Sequence, residues 1–596
     1  MESVAGLGAS AEESARKIFG KNPRIYYKMK LEKFVVKNFR SIKEVEILFP
    51  ENIPVILFGP NNVGKSNILK AMDCLLGEKY ASYIDFQDSD YHLRDKAQYS
   101  QISFSAYFDE EIKTEFPSSS SIHFATNHEF YHYKDKAKEN LLTENVFHYE
   151  NGDQMFLKNE DKEKCQFILI DATRDIGRQL SYYSQYSILS KMSKKMHASM
   201  QSQVKTQLDE HFEKIKETFD SVPEYKLFHE KLQDAFRGNI DGFEHKLEID
   251  LSAYDPNNYF HSLRIVAKEN GAVRAFEEFG TGEQQILLMS FVKAYAETFK
   301  NENFILGIEE PESHLHPIAQ RWLSQNIKTI AESNVQVVLT THSPEFLDID
   351  NLEGFVKVFR DGPITKALQH NRKSLKETCL KLKSSTTKTK EENILSFYRS
   401  KTFYDQLRGF FARKIILVEG ETEFFSLPNY FKKSGYDLIK NGVEIVNCRG
   451  KNQITRNYRL FKTYCYECFC LFDADAGSGD NEDLAATLDF DKGQMTQSEE
   501  KFAFDEDKKY GYFGKNFETY MRKNFTEYEK QENQLPDDKV LKAKIISEDL
   551  DLKPDFIEKI ALSLDIVKDT PDNPTEEVSL DIQTSDDSVD IDEVPF

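Results

Sequence analysis

The run Gly59-Pro60-Asn61-Asn62-Val63-Gly64-Lys65-Ser66 constrains this chain more than any other. It meets G-x-x-x-x-G-K-[ST] at every fixed position and sits between two segments of different character. Upstream, Pro54–Phe58 is a short apolar run suited to a buried strand. Downstream, Lys65–Leu76 has helical spacing and stops at Gly77. A strand that passes into a helix through such a loop offers backbone N–H groups and a helix N-terminus to an anion. The pattern predicts that Lys65 reaches phosphate oxygens and that Ser66 ligates Mg2+. Gly59, Asn62, Gly64 and Asn67 are expected around the same nucleotide.

Three later segments extend this reading. Phe304–Ile308 is a second apolar strand, and it ends in Glu309-Glu310-Pro311-Glu312. Acids at that position can accept a metal-bound water and orient an attacking one. Val335–Leu339 is a third strand, and it leads to Thr340-Thr341-His342-Ser343. Phe279-Gly280-Thr281-Gly282-Glu283-Gln284-Gln285 precedes both. In this order, the set resembles the ABC-type ATPase heads of the SMC class. The resemblance implies ATP as ligand, Glu309 as the metal-side acid, Glu310 as the catalytic base and His342 as the switch histidine. Glu309 stands where the family often has Asp, so the division of roles between Glu309 and Glu310 stays open. Gly280 and Gly282 then belong to a signature loop that faces the ATP of a second head, which implies a homodimer or higher assembly. Gln87 or Asp88 is a candidate for the glutamine loop of such heads.

A second centre lies far downstream. Lys414–Val418 is a strand that ends in Glu419-Gly420, with Glu423 one helical turn on. Cys468–Phe472 is another strand, ending in Asp473-Ala474-Asp475. Strand-end acids gather hard oxygen donors at one sheet edge, which suits Mg2+ or Mn2+. This arrangement resembles the Toprim domain. That resemblance implies Glu419, Glu423, Asp473 and Asp475 as metal-binding catalytic acids, with Glu518 as a late acid. It also implies a late lysine, for which Lys539 is preferred to Lys542.

Composition sets outer bounds. The 596 residues suffice for several domains, and the net charge of −22 argues against polyanion binding by the whole surface. No apolar run is long enough to span a bilayer, and the N-terminus lacks the apolar core of a signal peptide. Seven cysteines in so long a chain point to a reducing, cytoplasmic setting. Cys465, Cys468 and Cys470 lack the further Cys/His pair that a four-ligand zinc site needs, and Cys468 and Cys470, on one face of a strand, read as core residues.

The expected organisation is α/β. An N-terminal extension (1–29) precedes an ABC/SMC-type ATPase head in two parts (30–175 and 251–360). A helical arm or dimerisation insert (176–250) interrupts the head. A basic connector (361–412) leads to a C-terminal Toprim α/β domain (413–567) and an acidic, disordered tail (568–596). Between Lys366 and Lys390 eight cationic residues face Glu377 alone, so the connector is either a track for a nucleic-acid backbone or a solvated linker.

A head followed by Toprim is the architecture of the OLD (overcoming lysogenisation defect) nucleases, a group that includes Gabija-type antiphage nucleases. This resemblance implies an ATP-regulated, divalent-metal-dependent DNA endonuclease in antiphage defence. Its partners would be DNA, a second copy and a helicase-like defence protein or an RNA or DNA element. The alternatives are an SMC-like DNA-repair ATPase and a nucleotide-gated subunit that needs a partner to cut.

Overall fold

The computed structural model describes residues 30–77, 79, 81–112, 119–126, 144–148, 154–156, 165–170, 210, 211, 214, 222, 223, 266–269, 272–275, 279–298, 304–333, 335–383, 390–474, 481–496 and 498–569. The N-terminal extension, nearly all of the expected helical arm and the acidic tail beyond 569 lie outside the described residues. The chain divides into two compact units. One comprises Met1–Ala412 with Thr455–Tyr466, and the other Arg413–Ile454 with Glu467–Phe596. Among the described residues no helix is long and apolar enough to cross a membrane.

In the first unit, β1 (Leu31–Phe39), β2 (Ile42–Leu48), β3 (Val55–Phe58) and α1 (Lys65–Leu76) come first. They are followed by β4 (Ser103–Ile112), β5 (Ser119–Ala125), β6 (Glu144–His148), β7 (Gln154–Phe156) and β8 (Gln166–Ile170). A separate ribbon pairs β9 (Val266–Glu269) with β10 (Ala272–Ala275). Then come α2 (Thr281–Thr298), β11 (Phe304–Glu309), α3 (Pro317–Glu332), β12 (Gln336–Thr341), β13 (Phe355–Asp361) and β14 (Ile364–Gln369). Twelve of these strands form one sheet in the order β7-β6-β5-β4-β1-β2-β14-β13-β3-β12-β11-β8. The run β13-β3-β12-β11-β8 is parallel, so β3, β11 and β12 end at the same edge. The four residues of β3 are buried throughout, as a central parallel strand requires. Helix α1 buries Ile68, Leu69, Met72, Leu75 and Leu76 in a core shared with Val36, Phe104 and Phe124.

The segment expected to be a basic connector is folded instead. β14 lies inside the large sheet, between β2 and β13. It is followed by α4 (Arg372–Lys381) and α5 (Ile394–Arg399). These helices bury Leu375, Cys379, Ile394 and Tyr398, while Lys373 and Lys381 stay exposed. Arg372 grips Glu353 through two bonds of 2.7 and 3.1 Å. Among the described residues of this segment, Lys373, Lys381, Lys383 and Lys390 are exposed.

Residues 455–466 bring aromatic rings to the first unit. Phe58, the last residue before the phosphate loop, packs edge-on against Phe355, Phe410 and Tyr464 at 5.9, 5.5 and 6.2 Å. The Tyr464 hydroxyl donates to Leu352 O at 3.2 Å, and Lys357 donates to Tyr464 O at 3.0 Å. Tyr466 donates to Phe410 O.

The strands of the second unit are β15 (Lys414–Val418), β16 (Val443–Asn447), β17 (Glu467–Asp473), β18 (Phe502–Asp505) and β19 (Tyr510–Phe513), ordered β16-β15-β17-β19-β18. All pairings are parallel except β18 with β19. Helix α6 (Glu421–Lys433) follows β15, and α7 (Lys451–Thr463) links β16 to β17. Helix α8 (Asn481–Leu488) follows β17, and α9 (Phe517–Asn524), α10 (Thr526–Glu532), α11 (Lys539–Asp549) and α12 (Asp555–Ser563) come after β19. Cys468 and Cys470 are fully buried in β17, whereas Cys465 is exposed in the preceding turn.

Candidate functional site

The phosphate loop is shaped by two glycines that no other residue could replace. Gly59 has φ 140°, and a Cβ there would meet the Val358 carbonyl oxygen at 2.1 Å. Gly64 has φ 106°, and a Cβ there would meet Thr365 Oγ1 at 2.4 Å. Asn62 is exposed with φ 59°, and Ser66 opens the first turn of α1. Lys65 is buried and folds back across its own loop, donating to Gly59 O at 3.0 Å and Pro60 O at 2.8 Å. Burial pushes its ammonium down to about 8, opposed by the carboxylates of Glu310, Glu312 and Glu309. Asn67, expected beside the nucleotide, turns its amide elsewhere. It donates to Ser41 Oγ at 3.0 Å and accepts from Arg40 at 3.2 Å. Gln87 is committed to its own turn, where it donates to Asp85 Oδ2 at 2.7 Å.

Glu309 closes β11, and Glu310 follows with φ 45°. The Glu310 N–H bonds Thr340 O at 3.0 Å, which draws the two strand ends together. His342 Nε2 stands 3.8 Å from Glu310 Oε1. Burial and the Lys65 charge hold the His342 pKa below its ordinary value despite Glu310, which favours a neutral ring. Glu312 was not singled out in the sequence as a site residue, yet it anchors this turn. Its Oε1 accepts the His342 N–H at 2.6 Å, and burial raises its pKa. The available signal was its place as third acid of the same short run. In the signature segment, Gly280 N donates to Glu283 Oε2 at 3.1 Å, and a Cβ on Gly282 would lie 3.1 Å from the His314 carbonyl oxygen.

In the second unit the acids converge. Gly450 N donates to Glu419 O at 2.7 Å, which ties the end of β15 to the turn before α7. Glu419 Oε2 accepts from Asp473 N at 3.3 Å, and Asp473 Oδ1 accepts from Phe517 N at 3.0 Å. Asn516 caps α9 by accepting from Thr519 N at 2.9 Å, which places Glu518 in the first helical turn. Glu423 is 5% exposed and Glu518 3%. Asp538 caps α11 in the same way, and Lys539 at its first position pairs with Glu518 Oε1 at 3.0 Å. Lys542 faces away, toward Asp537 Oδ1 at 3.1 Å. Asp475 lies outside the described residues.

Charge in this cluster is unbalanced. Burial, then Glu518 and Glu419, push Glu423 above the usual carboxylate range, and Lys539 only partly offsets them. Burial disfavours the Lys539 ammonium, but Glu518, Asp473 and Glu423 together hold its pKa above the ordinary lysine value. Among the described residues no three acids form a closed ligand set. Buried hard oxygens with surplus negative charge nevertheless fit a divalent cation.

Comparison with known proteins agrees with both centres. Residues 29–347 match the AAA ATPase domain, and residues 410–475 match the Toprim domain described as overcoming lysogenization defect protein-like. The chain belongs to the AAA ATPase domain family and carries an OLD-like Toprim domain. An OLD nuclease of Thermus scotoductus is 22% identical over 433 residues, covering 71% of this chain and 77% of that protein. The Old nuclease of Escherichia phage P2 is 25% identical, covering 77% and 80%. The endonuclease GajA of Bacillus cereus strain VD045 is 25% identical, covering 54% and 57%. The chain therefore joins a nucleotide-binding ATPase domain to an OLD-like Toprim domain, a type that takes divalent metal.

Proposed function

We propose that this chain is an OLD-type, ATP-regulated, divalent-metal-dependent DNA endonuclease that nicks or cleaves, in the cytoplasm, as part of antiphage defence. The observation that carries the reading is the acid set of half-buried Glu419 with buried Glu423, Asp473 and Glu518, with Lys539 against it, on the same chain as a complete phosphate loop. The names of its relatives, two OLD nucleases and an endonuclease, support the same reaction class.

Glu419, Glu423, Asp473 and Glu518, together with Asp475, would hold one or two Mg2+ or Mn2+ ions. Such an ion supplies a water of lowered pKa and neutralises charge on the scissile phosphate. The protein's own part is orientation. Asp473 is fixed by the Phe517 N–H and Glu419 by the Asp473 N–H, so neither carboxylate is free to swing away. Lys539 stands ready to meet phosphate charge as it develops. In the head, Lys65 and Ser66 take ATP with Mg2+, Glu309 assists at the metal, Glu310 is the base and His342 reads the γ-phosphate. Gly280 and Gly282 complete the site of a second copy, so the working form is a homodimer or larger. A helicase-like protein or an RNA or DNA element is the further partner.

The test incubates supercoiled and linear DNA with the full chain and Mg2+ or Mn2+, with and without ATP, beside Glu419→Ala and Lys65→Ala. Cutting by wild type, loss in Glu419→Ala and an altered ATP response in Lys65→Ala are expected. Intact DNA under every wild-type condition overturns the reading, and continued cutting by Glu419→Ala removes the acid cluster from it.

A further inference from the structure

We propose that Thr365 is a positioning residue for nucleotide binding, because its hydroxyl ends a directed hydrogen-bond chain that sets the Val63–Gly64 peptide of the phosphate loop. This rests on the reading that residues 59–66 hold a nucleotide. Thr365 lies in β14, about 300 residues downstream of the loop it touches.

The direction of each link follows from proton counting. Thr365 Oγ1 lies 2.7 Å from Val63 O and 2.7 Å from Ser41 Oγ. A carbonyl only accepts, so the single Thr365 proton goes to Val63. Ser41 must then donate its own proton to Thr365. Ser41 Oγ accepts from Asn67 Nδ2 at 3.0 Å, and Asn67 Oδ1 accepts from Arg40 Nη1 at 3.2 Å. Arg40 has donors only, and its Nε is anchored on Asp90 Oδ1 at 2.9 Å. The order is Arg40 to Asn67 to Ser41 to Thr365 to the Val63 carbonyl, with no link reversible. A backbone bond from Thr365 N to Ser41 O, 2.8 Å long, holds the two hydroxyls in register.

Thr365 is wholly buried, so its hydroxyl has no water to fall back on. Gly64 sits directly on the chain: a Cβ there would come 2.4 Å from Thr365 Oγ1 and 3.0 Å from Ser41 Oγ. The consequence for phosphate binding comes from the planarity of a trans peptide. Carbonyl and N–H point in opposite directions across the bond. Holding the Val63 carbonyl toward Thr365 therefore aims the Gly64 N–H away from it, free for an anion. Loops of this kind bind phosphate through such N–H groups, and a peptide left to rotate must be ordered at the moment of binding.

Calorimetric titration of ATP into the full-length chain tests the proposal. Thr365→Val keeps the shape and removes the hydroxyl, and it should weaken binding about ten-fold. Thr365→Ser restores the donor and should bind within about two-fold of wild type. Equal affinity in wild type and Thr365→Val, with Lys65→Ala impaired, overturns the proposal and leaves the nucleotide site standing. Unimpaired binding by Lys65→Ala instead overturns the site reading itself. If Thr365→Val melts early, the half-buried Ser41→Ala variant decides: a weakened affinity supports the chain, and a wild-type affinity overturns it.

Discussion

The nucleotide loop and the Toprim acids occupy equivalent places, since each lies where parallel strands end, yet burial acts on them in opposite senses. At the loop it burdens a cation: Lys65 is pushed down to about 8 and is held up by Glu310, Glu312 and Glu309. At the acid cluster it burdens an anion: Glu423 is pushed upward with Glu518 and Glu419 adding to the effect, and Lys539 resists. A mixed centre suits a metal–nucleotide complex, which brings both signs of charge. An acid-rich centre suits a bare divalent ion. In both, the protein keeps a charge partly desolvated and incompletely matched, and a ligand of the right sign relieves it.

The largest expected effect is at Asp473. Asp473→Asn keeps the size of the side chain but removes a charge from the cluster, and DNA cleavage should fall by at least about 100-fold. Wild-type cutting by this variant would break the comparison outright. Next is the lysine pair. Lys539→Ala should reduce the cleavage rate about 10- to 100-fold, whereas Lys542→Ala should stay within about two-fold. Equal losses would mean that the Lys539–Glu518 ion pair is not what separates them.

The smallest effect is in stability, and it has opposite signs at the two centres. A raised Glu423 binds its proton more tightly folded than unfolded. In metal-free protein that part of the stability is present at low pH and is lost as pH rises from the ordinary carboxylate value of 4.5 toward about 7. A lowered Lys65 binds its proton less tightly folded. In nucleotide-free protein stability therefore falls as pH drops from 10.5 toward about 8 and recovers as pH rises. Glu423→Gln should flatten the first slope and Lys65→Met the second, each by on the order of 1 kcal/mol. Denaturant melts across pH would show it, and slopes of the same sign at both centres would refute the contrast.

Much of this was legible in local pattern. Helix α1 and strand β15 have the bounds their residues suggest, because a Gly stop and an uninterrupted apolar run are local signals. The acids at 309, 310, 419 and 473 stand at strand ends as their flanking runs require. Other features depend on partners distant in sequence. Eight cationic residues between 366 and 390 conceal a periodic apolar set, Leu375 and Cys379, that only the fold orients inward. Asn67 has the composition of a cofactor contact, but Arg40 and Ser41 claim its amide. Glu518 could have been one more charge on an exposed helix, and its 3% exposure follows from how α9 packs.

The placement of residues 455–466 has a consequence for how this protein is made. The ring of Phe58 meets Tyr464, so the strand that delivers the phosphate loop waits for a residue synthesised some 400 positions later. The first unit gains its last aromatic contributors only after β15 and β16 of the second unit have been synthesised. Synthesis order and folding order are therefore out of step, and the first unit passes through a stage with an incomplete core. A chain stopped at Ala412 would be held at that stage, with Phe410 deprived of Phe461, Tyr464 and Tyr466. Weak nucleotide binding by such a fragment would report a missing piece of its core, not the loss of the nuclease half.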